Sequence, residues 1–176
     1  MSPEELPEER MKKCSLLYDE GKTERSLGCF EDVLKFKPDS GFSHYLKGMC
    51  LYKLGRYTEA ITCFDKSSGL EKDKHLPHYA KGVCLMHMEE YDKAVKSFKH
   101  AVELNQKDVD SMFMIAACFL LKNEEKKARE WMDVAMRMDA LKAKALLQHF
   151  FEVFVLGDES LQADEKEALR KALDKI

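Results

Sequence analysis

The chain repeats itself at an interval of 34 residues. Cys50, Cys84 and Cys118 are separated by this interval, and so are Cys29 and Cys63. Repeats of this length are typical of arrays built from one small supersecondary unit. Val, Ile and Thr together account for only 14 of the 176 residues, and these β-branched residues are the ones that favour strands. The period therefore predicts a repeated pair of helices rather than a repeated sheet.

Five repeats result when the count starts at residue 7, and a place in the repeat is numbered from its first residue. The repeats are 7–40, 41–74, 75–108, 109–142 and 143–176. The fifteenth place favours residues that tolerate a left-handed backbone, which predicts the turn inside each hairpin; it holds Gly21, Gly55, Glu89, Asn123 and Gly157. The eighth place is small in four repeats, which predicts a close crossing of the two helices; it holds Cys14, Gly48, Gly82, Ala116 and Phe150.

Charge and hydropathy exclude several classes of protein. The chain carries 29 Lys and Arg against 32 Asp and Glu, and no basic run stands out, so we expect no nucleic-acid binding. The longest uncharged apolar run, 112–121, is about half of what a bilayer span needs, so we expect no membrane insertion. The first residues lack the apolar core of a signal peptide. We therefore expect a cytoplasmic protein.

Five of the six cysteines fall into two sets, each at one equivalent place of successive repeats. Neighbouring helices pack roughly 10 Å apart, whereas a disulfide needs Cα atoms within about 7 Å of each other. Pairing between equivalent cysteines of adjacent repeats is therefore disfavoured. We predict buried free thiols at all six positions.

The pattern resembles the tetratricopeptide repeat (TPR). The second repeat carries the family's small and large residues at their places, namely Gly48, Leu51, Tyr52, Gly55, Tyr57, Ala60, Phe64 and Leu70. The third repeat carries Gly82, Leu85, Tyr91, Ala94, Phe98, Ala101 and Leu104. The aromatic residue expected at the fourth place is missing throughout. The resemblance covers nearly the whole chain and implies an all-α, right-handed α-solenoid of antiparallel helix hairpins.

The fifth repeat departs from this pattern. Phe150 is too large for the close-crossing place, and Gln162 and Lys166 stand where Ala and an aromatic residue belong. Apolar residues of 161–176 still form one stripe, which suits a helix that covers the end of the array. We predict four TPR units and a degenerate capping hairpin, forming a single domain over 7–176 that follows a leader at 1–6.

In TPR proteins the first helix of each hairpin lines a concave face that binds ligands. The corresponding places hold aromatic and apolar side chains here, and such exposed surface marks an interaction site. The resemblance thus predicts peptide-binding contacts at Tyr45, Met49, Tyr52, Tyr79, Val83, Met86, Phe113 and Leu120. The alternative is that these side chains are buried by curvature of the array, by the C-terminal hairpin or by a second copy.

The predicted function is that of an adaptor or scaffold that binds an apolar or amphipathic peptide segment of a partner protein in this groove. The places that hold a chaperone-tail carboxylate clamp in some family members contain no cation or amide here, so that ligand is excluded. A chaperone-like holder of hydrophobic clients is one alternative. A structural module that self-associates through 143–176 is another. No motif points to an enzyme, a cofactor or a metal site.

Overall fold

The computed structural model describes residues 7–152 and the separate positions 162, 163 and 167. Over these residues the protein is an all-α helical-hairpin solenoid without strands, as the sequence predicts. Its helices are α1 (Pro7–Asp19), α2 (Thr23–Phe36), α3 (Gly41–Lys53), α4 (Tyr57–Leu70), α5 (Leu76–His87), α6 (Tyr91–Leu104), α7 (Val109–Leu121), α8 (Glu125–Met138) and α9 (Ala140–Phe150). We number the hairpins α1–α2, α3–α4, α5–α6 and α7–α8 as hairpins 1 to 4.

Each hairpin turns at the residue that the sequence predicts. Gly21 and Gly55 have φ of +74°, and Glu89 and Asn123 have φ of 59° and 57°. In every case the next amide donates back to a carbonyl in the last turn of the first helix, for example Arg56 N to Leu51 O at 2.9 Å. This bond satisfies a carbonyl that the helix end leaves free. The fifth residue of the predicted column, Gly157, lies outside the described residues.

The chain divides into two compact units, Met1–Gln106 and Lys107–Ile176. In the first unit a buried aromatic ring sits at the centre of each hairpin, and these rings belong to Phe30, Phe64 and Phe98. The Phe64 and Phe98 rings occupy the space beside Gly48 and Gly82, where an added Cβ would come within 2.6 Å of the ring. A side chain at those glycines would therefore displace the ring.

The prediction of six free thiols is wrong for two of them. Cys14 of α1 and Cys29 of α2 form a disulfide, with Cα atoms 5.4 Å apart. The sequence argument compared equivalent places in adjacent repeats, whereas this bond joins two different places of one hairpin. Only the first repeat has Cys at both places; in the second, Gly48 stands at the place of Cys14. The other four cysteines are buried free thiols, as predicted, namely Cys50, Cys63, Cys84 and Cys118.

The second compact unit contains α7, α8 and α9. Helix α7 is the most apolar of the three, and Ile115, Ala116 and Cys118 are fully buried. Asp139 both ends α8 and caps α9, where its side chain accepts from Lys142 N at 3.0 Å. Helix α9 therefore starts at Ala140, three residues before the predicted repeat boundary at 143.

The rest of the fifth repeat lies mostly beyond what the structure describes. Residues 153–161, 164–166 and 168–176 are outside the described residues, and with them the predicted second capping helix. The capping role of 143–176, its self-association and the single-domain organisation of 7–176 stay predictions. Among the residues described, none of the helices combines the length and apolar character needed to cross a bilayer.

Candidate functional site: a tyrosine-lined cavity between two first helices

Helices α3 and α5 are the first helices of hairpins 2 and 3, and they pack side by side. Between them lies a cavity of about 240 Å³, lined by Tyr45, Met49, Tyr52, Tyr79, Ala80 and Val83. We call it the tyrosine cavity. Residues spaced by three or four share one face of a helix, which is how α3 presents three of these side chains and α5 the others. Five of the eight residues predicted as peptide contacts are thus brought together.

The tyrosine rings that line the cavity are held from behind by the hairpin cores. The Tyr45 ring centroid lies 5.8 Å from that of Phe64, and the Tyr79 centroid lies 5.6 Å from that of Phe98. Both pairs are tilted, a geometry that aromatic rings favour. Burial raises the pKa of the Tyr45 phenol, so it remains neutral. The walls of the cavity are therefore fixed and uncharged.

Tyr52 of the cavity also belongs to an aromatic cluster with Tyr57 and His87, which sequence reasoning recognises only in part. Tyr52 Oη lies 3.0 Å from His87 Nε2, and the Tyr57 ring stacks on the His87 ring at 5.0 Å between centroids. Burial, followed by the nearby Tyr57, raises the pKa of the Tyr52 phenol. The repeat pattern identifies Tyr57 as a family position but does not assign it to the site. Its stacking on His87 joins the second helix of hairpin 2 to the first helix of hairpin 3, a contact that sequence spacing does not reveal.

A second apolar depression lies at the α1 side of the first unit. It has a volume of about 510 Å³ and is lined by residues that include Met11, Leu16 and Phe42. Leu16 is 57% exposed and Phe42 is 48% exposed. Nearby, Lys53 Nζ lies 3.6 Å from the centroid of the Tyr18 ring, a cation–π contact. The apolar surface of the first helices thus extends beyond the tyrosine cavity.

The remaining predicted contacts lie elsewhere. Met86 is half-buried on α5 but does not line the cavity. Phe113 and Leu120 belong to the second compact unit, where Leu120 is exposed. Phe113 is only 3% exposed, and its ring packs edge-on against Phe150 of α9 at 5.9 Å. In this arrangement Phe113 is a core residue, and its ring is not exposed for contact with a ligand.

The free thiols of the described residues are buried. Burial raises the pKa of the Cys84 and Cys118 thiols to about 12, which keeps both protonated and poorly nucleophilic. No group of three or more His, Cys, Asp and Glu side chains is placed to hold a metal ion within the part of the chain described. The chemistry available at the tyrosine cavity is that of apolar contact and neutral hydrogen bonding.

Comparison with known proteins gives matches at the level of family and fold. Residues 2–67 match the family model for anaphase-promoting complex, cyclosome, subunit 3, and residues 76–108 match that for the tetratricopeptide repeat. No curated protein sequence matches the chain.

Several solved structures are similar in fold. A crystal structure of MamA has a TM-score of 0.74 at 17% identity, covering 78% of this chain and 81% of that one. MamA from Desulfovibrio magneticus RS-1 has a TM-score of 0.72 at 21% identity, with 77% and 76% covered. YrrB, described as a TPR protein with an unusual peptide-binding site, has a TM-score of 0.66 at 21% identity, with 77% and 71% covered.

Proposed function

This chain belongs to the tetratricopeptide repeat family of protein-interaction modules, and we propose that it binds an apolar or amphipathic peptide segment at the tyrosine cavity. The observation that carries the proposal is the cavity itself, with four aromatic or Met side chains converging between α3 and α5. Tyr and Met are enriched at protein interfaces because they combine large contact area with adaptable contacts. The peptide-binding site named for YrrB, a protein of similar fold, adds support.

The size of the cavity favours a peptide side chain over a small-molecule cofactor. Small-molecule sites usually have volumes of roughly 300–1,000 Å³, whereas this cavity has about 240 Å³. One or two apolar side chains fill such a space. A peptide anchored there would continue over the neighbouring apolar surface at Met11, Leu16 and Phe42.

The absence of charge among the lining residues restricts the ligand further. The six side chains around the cavity belong to Tyr, Met, Ala and Val, and none of these residue types carries a charge at neutral pH. A charged side chain entering this space would lose its hydration without gaining a counter-charge, which is costly. The anchor residue of the ligand should therefore be aliphatic or aromatic, and its polar neighbours should remain at the rim.

A peptide library displayed on phage selects ligands by affinity alone. The best peptide is then labelled with fluorescein and titrated against wild type, Tyr45→Ala, Tyr79→Ala and the matched control Tyr91→Ala. Tyr91 begins α6 and does not line the cavity. We expect each cavity variant to weaken binding by roughly 1–3 kcal/mol, the usual range for a central interface aromatic. The control should bind like wild type.

Circular dichroism of each variant separates loss of contact from loss of fold. Unchanged affinity in folded Tyr45→Ala and Tyr79→Ala would show that the ligand binds elsewhere. Selection of peptides without an apolar anchor would contradict the proposed ligand chemistry. An adaptor for one partner and a holder of many clients differ in the outcome of the selection: the former gives one consensus motif, and the latter gives many unrelated apolar sequences.

A further inference from the structure

A second groove lies in the first compact unit and shares no lining residue with the tyrosine cavity. It has a volume of about 770 Å³ and lies among α2, the loop after it, α3 and α4. Its floor is apolar, formed by Leu34, Pro38 and Leu70. Three lysines surround the floor, and we call the site the lysine groove; they are Lys35, Lys47 and Lys66.

The groove has more positive than negative charge. Lys47 Nζ lies 3.0 Å from Glu31, and Lys35 Nζ lies 2.9 Å from Asp32. Lys66 has no ion pair among the described residues. Glu31 is the only carboxylate among the described residues that line the groove, and Asp32 just outside it pairs with Lys35. Three lysines therefore face two carboxylates, and Lys66 is the cation left over.

The equivalent positions of hairpins 1 and 3 show what is missing in hairpin 2. The fourth and twenty-sixth places face each other across hairpins 1 and 3. In hairpin 1 they hold an ion pair, Arg10 Nη2 to Asp32 Oδ2 at 3.0 Å. In hairpin 3 they hold the rings of His78 and His100, whose centroids are 4.3 Å apart. Both arrangements bring compatible groups together.

Hairpin 2 places His44 and Lys66 at these two places. His44 is partly buried, and its Nε2 lies 2.9 Å from the carbonyl oxygen of Pro38, which ties the loop after α2 to α3. Burial lowers the pKa of His44, and the positive charges of Lys66 and Lys47 lower it further, against the opposing effects of the hydrogen bond to the Pro38 carbonyl and, less strongly, of Asp39. His44 therefore does not compensate the positive charge of Lys66.

Gly69 explains why the groove is open. The equivalent residue in hairpin 3 is Glu103, whose Oε2 lies 3.1 Å from His100 Nδ1. In hairpin 2 this place carries no side chain, and a Cβ built at Gly69 would meet no atom within 4 Å. The missing side chain leaves the space of the groove open. It also leaves Lys66 without a counter-charge among the described residues.

We propose that the lysine groove binds an acidic amphipathic segment of a partner protein, with apolar side chains on Leu34 and Leu70 and a carboxylate at Lys66. The argument rests on charge complementarity and on the repeat itself. Hairpin 3 supplies a carboxylate from its own chain at the place where hairpin 2 has Gly69. A partner's Glu or Asp side chain would occupy the same space and meet the cation that lacks a counter-charge.

The experiment uses the full chain and a short fluorescein-labelled peptide with Glu on one helical face and Leu on the other. A matched peptide carries Lys in place of every Glu. We expect the acidic peptide to bind with an affinity that falls as salt is raised, because exposed charges are screened. The basic peptide should not bind. Equal binding of the two peptides, or no binding of the acidic one, would overturn the proposal.

Two substitutions at one residue give the sharpest control. Gly69→Glu recreates the hairpin 3 arrangement, fills the groove and neutralises Lys66, so binding should be lost. Gly69→Ala adds only a methyl group in open space and should bind like wild type. Charge reversal in Lys66→Glu should weaken binding about fivefold to tenfold, above the effect of a single exposed ion pair. Undiminished binding to Gly69→Glu would show that the peptide does not use this groove.

Tyr79→Ala separates this site from the tyrosine cavity. The acidic peptide should bind this variant like wild type, whereas a ligand of the cavity should not. If Tyr79→Ala lost binding of the acidic peptide while Gly69→Glu bound it like wild type, the peptide would be assigned to the cavity and the lysine groove would be rejected. Light scattering with and without peptide completes the test, because a concentration-dependent dimer abolished by Gly69→Glu would identify a second copy of the chain as the occupant.

Discussion

Hairpin 1 and hairpins 2 and 3 join their two helices in different ways. In hairpins 2 and 3 the first helix has Gly48 or Gly82 at the crossing, and a phenylalanine ring of the second helix fills the space. Hairpin 1 has Cys14 at this place, fully buried, and a disulfide to Cys29 connects the helices. The same repeat geometry is thus reached by ring packing against glycine in one region and by a covalent bond in another.

The difference shows that a given place in the repeat must keep the two helices packed together but can do so with different residues. Phe30, Phe64 and Phe98 are all fully or almost fully buried, so each hairpin keeps its aromatic centre. Ser26 of α2 also donates to the Cys14 carbonyl at 2.8 Å, a buried bond that adds to the attachment of α1. The attachment of the two helices in hairpin 1 therefore depends on redox conditions. In hairpins 2 and 3 it depends on the fit between a phenylalanine ring and a glycine.

The largest expected effect comes from removing the disulfide. The bond closes a loop with a sequence separation of 15, and a loop of this size contributes about 3 kcal/mol through the entropy of the unfolded chain. Cys14→Ser/Cys29→Ser, or wild type in a reducing agent, should lose about that much free energy of unfolding in urea denaturation. Hydrogen exchange should locate the loss in α1 and α2.

Cys63→Ser tests whether the effect is specific to hairpin 1. Cys63 holds the place equivalent to Cys29 but is a free thiol. The reducing agent should not change the stability of the Cys14→Ser/Cys29→Ser variant, whereas it should destabilise Cys63→Ser as it does wild type. Equal sensitivity to reductant in the double variant would contradict the assignment.

A smaller effect is expected from adding a methyl group at the glycine crossing of hairpin 2. The new Cβ of Gly48→Ala would lie 2.6 Å from the Phe64 ring, so the ring must shift. Overpacking of this kind costs roughly 1–3 kcal/mol. Gly28→Ala is the matched control, because a Cβ at this helical glycine meets no atom within 4 Å and should be neutral or stabilising. Denaturant midpoints compare the two, and equal midpoints would show that Gly48 is not required for close crossing.

The smallest expected effect is a difference between the hairpins in the pH range over which each loses stability. Burial lowers the pKa of His44 and His78 from the usual value near 6.5. The unfolded chain therefore binds protons first as the pH falls below about 6.5, and stability decreases in that range. In hairpin 1 the fourth place is Arg10, and the pKa of Asp32 is lowered by its bond to Lys35 and, less strongly, by Arg10. Its contribution is lost only as the pH falls below about 3.8.

Thermal melting across pH distinguishes the two ranges. His44→Gln/His78→Gln should flatten the decrease in melting temperature below pH 6.5, leaving the acid range unchanged. Asp32→Asn should do the reverse. A decrease below pH 6.5 of the same size in the double histidine variant would show that other groups are responsible.

The sequence was sufficient to predict the repeat and the turns, because both follow from local rules. A positive φ at Gly21 or Asn123 is required by the turn and is visible as a residue preference. Five of the eight predicted contacts line one cavity because the spacing of Tyr45, Met49 and Tyr52 places them on one helix face. Phe113 could not be judged in this way, because its burial depends on Phe150 in another helix.

Periodicity and composition therefore predicted an array of helical hairpins, and the resemblance to the TPR family predicted an apolar face on its first helices. The pairing of Cys14 with Cys29 and the open space beside Gly69 were decided only by the tertiary structure. Both depend on the distance between different places in neighbouring helices. A repeat pattern compares like places with one another, whereas contacts in the folded chain join unlike ones.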